Sequence, residues 1–212
     1  MSAETNGMTG VLLAGGKSRR MGRDKRFLEL EGQTLLELVL PVLETIFSDI
    51  LVVVAEPEPQ LASLRHRLVT DLIPGCATLG GLYTGLSLAG HPRIFACAVD
   101  MPLLDQAVIE RMIRLGDGAD VVMAKLANGL QPLHAIYSQA CLPHMERMVR
   151  ATSLKVQGLA AAPDLLVRLV SEDELKDIDP RFLSFLNINT PADLEFARKL
   201  LAGRRDNPGG KV

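Results

Sequence analysis

Tryptophan is absent from this 212-residue chain, and the aromatic content stops at six Phe and two Tyr. Single-stranded nucleic acid binders need exposed rings for stacking, so this scarcity argues against one. A net charge of −2 argues equally against a general DNA or RNA binder. Long apolar runs are missing too: none approaches the ~20 residues needed to cross a bilayer. Residues 1–7 are polar, without the charged-then-apolar layout of a secretory signal, so a cytoplasmic location is expected. The three cysteines, Cys76, Cys97 and Cys141, lie far apart and mostly in apolar context. They read as buried, reduced thiols rather than a disulfide framework. His66, His91, His134 and His144 show no metal-ligand spacing, which speaks against zinc.

Hydrophobic residues make up 48% of the chain, enough for a sizeable core, and the length suits one domain of ~100–200 residues. Strand-like and helical patterns alternate. Strands are expected over 9–14, 50–55, 94–99 and 120–124, with a short one ending at Asp71 and an extended piece over 27–30 that stops at Gly32. Thr34 followed by Glu37 forms a capping box for a helix to about 47, in which Pro41 marks a bend or a break. Further helices are expected over 60–66, over 80–89 and from an Asp105 cap to about 115. The remainder predicts a strand over 133–137, a helix over 140–150, strands over 165–170 and 185–189, and a last helix opened by Pro191. Such alternation argues for a mostly parallel sheet covered on both faces. Residues 203–212 read as a frayed tail beyond a single domain spanning 1–202.

Residues 13–25 read Leu-Ala-Gly-Gly-Lys-Ser-Arg-Arg-Met-Gly-Arg-Asp-Lys, directly after the first strand. From Lys17 to Arg26 there are six Lys or Arg and one Asp, a balance of +5, so the rest of the chain sums to −7. A basic, glycine-rich turn on an acidic protein is where a compact polyanion docks, and a triphosphate is the candidate. A Walker A loop does not fit, because its first glycine would fall on Val11; the spacing of Gly15, Gly16 and Gly22 also breaks the dinucleotide fingerprint. Gly15 and Gly16 would admit close backbone approach, and Arg20 and Lys25 are assigned to phosphates. A solvated basic loop is the alternative; paired glycines straight after a buried strand weigh against it.

Asp100 follows the apolar run 95–99 and so falls at the carboxyl end of a central strand, where open α/β sheets place ligands. It either holds Mg²⁺ together with waters and substrate phosphates or caps a turn before Pro102; the loop at the same sheet edge favours the metal. Asp71 ends a short strand and either accepts hydrogen bonds from a base or ribose or caps a turn.

Leu13-Ala14-Gly15-Gly16, Arg20-Met21-Gly22, Asp24-Lys25 and Asp100-Met101-Pro102-Leu103 together resemble the motifs of the molybdenum cofactor guanylyltransferases, of the molybdopterin-guanine dinucleotide biosynthesis protein A type. Gln131-Pro132-Leu133-His134 and Asn187-Ile188-Asn189-Thr190-Pro191 are similar to two further segments of that family, in the right order. The resemblance covers almost the whole chain and implies a Rossmann-like three-layer α/β/α nucleotidyltransferase fold with a mostly parallel sheet. It implies that Leu13, Ala14 and Gly15 contact a guanine nucleotide, which Gly16 admits by close backbone approach, that Asp71 is a nucleotide-binding aspartate, and that Lys25 binds the phosphates and Asp100 both GTP and Mg²⁺. His134, Asn187 and Asn189 are candidates for the cofactor side of the cleft or a second metal contact, with strand-end hydrogen bonding the alternative for each. Two departures stand out. The second strand ends in Val54-Ala55, without the asparagine of some members, and the family's G-P-L-x-G segment appears as Ala77-Thr78-Leu79-Gly80-Gly81.

The implied reaction joins GMP from GTP to the phosphate of molybdenum-molybdopterin, with Arg20, Lys25 and Asp100 as the catalytic groups. The expected partners are those two small-molecule substrates, with no nucleic acid or membrane. A monomer is expected, in transient contact with cofactor-biosynthesis or acceptor proteins. Rival readings are a relative using CTP or another phosphorylated acceptor, a nucleotide-binding regulatory module without catalysis, and a nucleic-acid binder using residues 17–26.

Overall fold

A computed structural model describes residues 7–15 and 27–206. Nine strands and five α-helices occur among these residues. In chain order the elements are β1 (Met8–Leu13), β2 (Glu29–Leu30), β3 (Gln33–Thr34), α1 (Leu35–Ile46), β4 (Asp49–Val54), β5 (Arg67–Thr70) and α2 (Ala77–Leu88). There follow β6 (Arg93–Ala98), α3 (Gln106–Leu115), β7 (Val121–Leu126), β8 (Gly129–Ser138), α4 (Leu142–Arg150), β9 (Val167–Ser171) and α5 (Pro191–Asp206).

Seven strands form one sheet in the order β5-β4-β1-β6-β8-β7-β9, and β2 with β3 makes a separate hairpin. Four of the six pairings are parallel; β8 runs antiparallel to both β6 and β7. The mostly parallel sheet expected from the alternation is therefore present, with one reversed strand. Side chains alternate across it. Leu12, Val52 and Phe95 face a layer built from α1, α3 and α5, while Val11, Leu13, Val53 and Ala96 face α2 and α4. Burial on both faces is why these strands read as unbroken apolar runs.

Local signals set several boundaries. Thr34 caps α1 with the full capping box: its Oγ1 accepts from Glu37 N–H, and Glu37 Oε2 accepts from Thr34 N–H at 2.8 Å. Helix α1 continues through Pro41. Asp105 caps α3, accepting Ala107 N–H at 2.8 Å. Two expectations are corrected. Residues 60–66 do not form an α-helix: a 3₁₀ turn, Pro59–Leu61, forms there, its bonds closing three residues apart (Ala62 N–H to Pro59 O at 3.1 Å), and the chain extends again at Arg67 to pair with β4. Residues 185–189 are not a strand; a 3₁₀ turn, Leu183–Phe185, leads into irregular chain whose Ile188 N–H donates to Asp100 O at 2.8 Å. Cys97 and Cys141 are buried, Cys76 is half-buried, and burial pushes the Cys141 thiol up to about 12.

Asp120 joins the amino ends of β7 and β9 to the end of β8. It accepts Ser138 Oγ–H at 2.6 Å and Leu166 N–H at 3.0 Å. These bonds, Ser138 first, hold its carboxyl below the ordinary value of 3.8. A carboxylate held below its unfolded pKa stabilises the fold above about pH 4, and that contribution fades as pH falls through the folded value. Asp120→Ala is expected to cost about 1–2 kcal/mol at neutral pH. The gap between urea melts of the two proteins should narrow as the pH is lowered through the folded value; a gap that stays constant with pH assigns the loss to packing instead.

Candidate active site

Strand β1 is the point where the topology reverses. The chain leaves it for β4 on one side, by way of α1, and returns to β6 on the other, by way of α2. A crevice at the carboxyl ends of strands flanking such a reversal is the usual ligand position in open α/β sheets. A cleft of about 890 Å³ lies there. One half is lined by Leu13 and Gly15 after β1, Val53 to Glu58 at the end of β4, Asp71 after β5, and Gly75, Ala77, Thr78 and Gly81 at the start of α2. The other half is lined by Ala98 and Asp100 after β6, Leu133 of β8, and Asn187.

Backbone pairing fixes the centre of this floor. Leu13 is in register with Ala98, Val99 N–H donates to Leu13 O at 3.1 Å, and Ala14 N–H donates to Val53 O at 2.8 Å. Gly15 fits because a Cβ there would come within 3.0 Å of the Ala55 backbone nitrogen. Its small size thus lets the β1 and β4 loops meet. Among the predicted residues, Leu13, Gly15, Asp71, Asp100 and Asn187 are brought to the cleft, while Ala14 is buried beneath it. Gly16, Arg20 and Lys25 lie outside the described residues.

Asp71 does cap a turn: its Oδ1 accepts Ile73 N–H at 3.0 Å and Thr84 Oγ1–H at 2.9 Å. A Cβ at Gly80 would come within 2.9 Å of Asp71 Oδ2 and 2.8 Å of Ile73 O, so glycine there lets α2 seat against the turn. Asp71 both shapes the wall and lines the cleft. The two readings of this residue are compatible.

Two predicted positions are not brought to the cleft. His134 is completely buried, with its ring packed edge-on to Phe95 at 5.2 Å and tilted against Phe185 at 4.4 Å. Burial pulls its pKa down to about 3, so the ring is neutral at physiological pH. Asn189 is exposed and belongs to the start of α5, where its N–H and that of Thr190 donate to Asp193 Oδ2 at 2.9 and 2.8 Å. Conversely, sequence reasoning missed Glu56, Pro57 and Glu58, whose signal was position alone: they follow the carboxyl end of β4 beside the reversal. Ala77 and Thr78, which also line the cleft, belong to the segment matched to G-P-L-x-G.

The electrostatics are lopsided. Every titratable residue among the described lining positions is an acid: Glu56, Glu58, Asp71 and Asp100. The sequence's +5 segment, residues 17–26, lies outside the described residues; among those described, the amino end of α2, whose N-cap Cys76 makes no side-chain capping bond, opposes this charge. That helix end leaves N–H groups and a positive dipole end beside the cleft, favourable to an anion. Among the described residues no group of three or more His, Cys, Asp or Glu could form a metal cage. A cation held by Asp100 and by ligand oxygens fits this donor set, as magnesium commonly is.

A glycine turn and a strand-end carboxylate flanking the reversal of a three-layer α/β/α sheet define a nucleotidyltransferase-type fold. The model of the MobA-like NTP transferase domain matches residues 10–164, and the chain belongs to that family. It is 38% identical over 200 residues to the molybdenum cofactor guanylyltransferase of Desulfosudis oleivorans, covering 93% of this chain and 98% of that protein. The crystal structure of molybdopterin-guanine dinucleotide biosynthesis protein A from Archaeoglobus fulgidus superposes with a TM-score of 0.80 at 27% identity, over 92% of this chain and 99% of that one. The fold is shared further with 2-C-methyl-D-erythritol 4-phosphate cytidylyltransferase from Thermus thermophilus, at a TM-score of 0.66 and 19% identity over 91% of this chain and 98% of that one.

Ala77 opens α2 at φ +48°, in the left-handed region, where the family's G-P-L-x-G segment carries its first glycine. An L-residue there costs roughly 1–2 kcal/mol relative to glycine. Ala77→Gly should therefore raise stability by about 1 kcal/mol, seen as ~2–4 °C in thermal melting. An unchanged or lower midpoint would show the turn to be unstrained.

Proposed function

We propose that this chain transfers GMP from GTP to the phosphate of molybdenum-molybdopterin, releasing pyrophosphate. The observation carrying the reading is that the Leu13–Gly15 turn and Asp100 line one cleft, side by side on paired strands. The relatives from Desulfosudis and Archaeoglobus support it by their names. The same reading takes residues 1–202 as one domain acting in the cytoplasm on small-molecule substrates; no described helix is long and apolar enough to cross a membrane.

The chemistry asks little of an acid–base residue. An acceptor phosphate oxygen attacks the α-phosphorus of GTP, a new P–O–P link forms, and the bond to the β-phosphate breaks. The nucleophile is already an anion, so no general base is required. This agrees with a cleft that has no histidine among its described lining residues. The obstacle is charge, because two anions must meet and a third leaves. Backbone at Leu13, Ala14 and Gly15 would seat the nucleotide, with Asp71 and the start of α2 forming its far wall. Arg20 and Lys25 would offset phosphate charge from the basic segment. Asp100 would hold Mg²⁺ jointly with the phosphates and water, and the ion, when bound, neutralises charge on the departing pyrophosphate.

Removing one such electrostatic contact typically costs ~10²–10³-fold in turnover. Lys25→Ala and Asp100→Ala are expected to fall in or beyond that range with the fold intact by circular dichroism. Near-normal GTP-dependent pyrophosphate release by Asp100→Ala would remove the metal assignment. Thermal stabilisation should follow GTP–Mg²⁺ and not CTP, UTP or ATP, reaching about 2.7 kcal/mol at a hundredfold excess over Kd. Preference for CTP would move the chain to the cytidylyl side of the family.

A further inference from the structure

His134 takes φ +63°, in the left-handed region, and is fully buried between Phe95 and Phe185, where desolvation keeps it neutral. Among the described residues its Nδ1 has no hydrogen-bond partner, so the ring's polar contact is made by its other nitrogen. That nitrogen, Nε2, shares a 2.8 Å hydrogen bond with Ser184 Oγ. Neither group can reach a substrate, since His134 is 0% and Ser184 1% exposed.

Ser184 belongs to a tightly held segment. Its Oγ accepts Asp105 N–H at 2.9 Å, and the buried carboxylate of Asp179 accepts the N–H groups of Leu183 and Ser184, each at 2.9 Å. Three residues further on, Asn187 lines the cleft, and Ile188 N–H donates to Asp100 O at 2.8 Å. On the other side of the bond, Leu133, the residue before His134, also lines the cleft. The His134–Ser184 bond therefore joins two separate stretches of the wall opposite the nucleotide half and ties both to the peptide of Asp100.

We propose that His134 is a positioning residue: through Ser184 it fixes the Leu183–Asn187 stretch against β8 and so sets the geometry with which this wall receives the acceptor phosphate. The inference rests on the GMP-transfer reading and goes beyond it by assigning acceptor affinity to a buried hydrogen bond outside the cleft.

Two variants test it. His134→Phe keeps an aromatic ring between Phe95 and Phe185 and removes the bond; Ser184→Ala removes the same bond from the other side, together with the one from Asp105 N–H. GMP transfer is measured with GTP and molybdenum-molybdopterin varied in turn. Each variant is expected to raise the acceptor KM about tenfold while changing the GTP KM less than about twofold. The double variant should be no worse than Ser184→Ala alone, because that variant already lacks the bond His134→Phe removes. An unchanged acceptor KM, equal rises in both KM values, or additive losses in the double variant overturn the positioning role. Should His134→Phe fail to fold, Ser184→Ala decides by the same KM split. A wild-type protein that transfers no GMP overturns the catalytic reading itself, and the inference with it.

Discussion

The parallel pairing of β1 with β6 is the constraint on which the site depends. Adjacent strands lie about 4.8 Å apart, so residues in register at their carboxyl ends are brought within reach of one small ligand. Leu13 opposite Ala98, with Val99 N–H on Leu13 O, carries the start of the glycine turn and Asp100 to one edge. These residues are almost ninety positions apart in the chain. The pairing is held by the two-sided core: both faces of β1 and β6 are covered by helices, so neither strand can slip by one residue without moving its apolar side chains to the wrong layer.

Charge follows from that placement. The described cleft offers four carboxylates and no cation, which taken alone would repel a triphosphate. The amino end of α2 beside the cleft opposes part of that charge, and the sequence concentrates +5 into ten residues that begin two positions after Gly15, while the rest of the chain stays acidic. An acidic lining favours a divalent cation, and a polyanion carrying one meets less repulsion there than the polyanion alone.

Much of this was legible in the chain because the relevant signals are local. The runs at 50–55 and 94–99 announce buried strands, Thr34 with Glu37 and Asp105 announce helix starts, and Asp100 after an apolar run announces a strand-end ligand. What was not legible depends on partners distant in sequence. The 185–189 stretch looks like a strand because Phe185 and Ile188 are buried; yet the backbone hydrogen bond of Ile188 goes to Asp100, beyond the end of β6, and not to a sheet neighbour. The 60–66 stretch has helical spacing, but the pairing of β5 with β4 from Arg67 draws the chain out again after one 3₁₀ turn. His134 stands in a motif that resembles a functional segment, and only the packing of Phe95 and Phe185 around it reveals that its neighbour Leu133 faces the cleft instead.

The two halves of the cleft are built differently, and the difference suits the reaction. The β4 side is framed by the exposed residues Ala55, Glu56 and Pro57 and by the start of α2. The opposite side is braced from behind by His134, Ser184 and the buried carboxylate of Asp179, with Ile188 bonded to Asp100. Phosphoryl transfer needs the attacking and leaving oxygens nearly in line, and misplacement by about 1 Å can cost ~10²-fold. The His134–Ser184 and Ile188–Asp100 bonds tie the Asn187 wall and the Asp100 peptide into one hydrogen-bonded unit behind the cleft, so the spacing of the two is set by the same contacts.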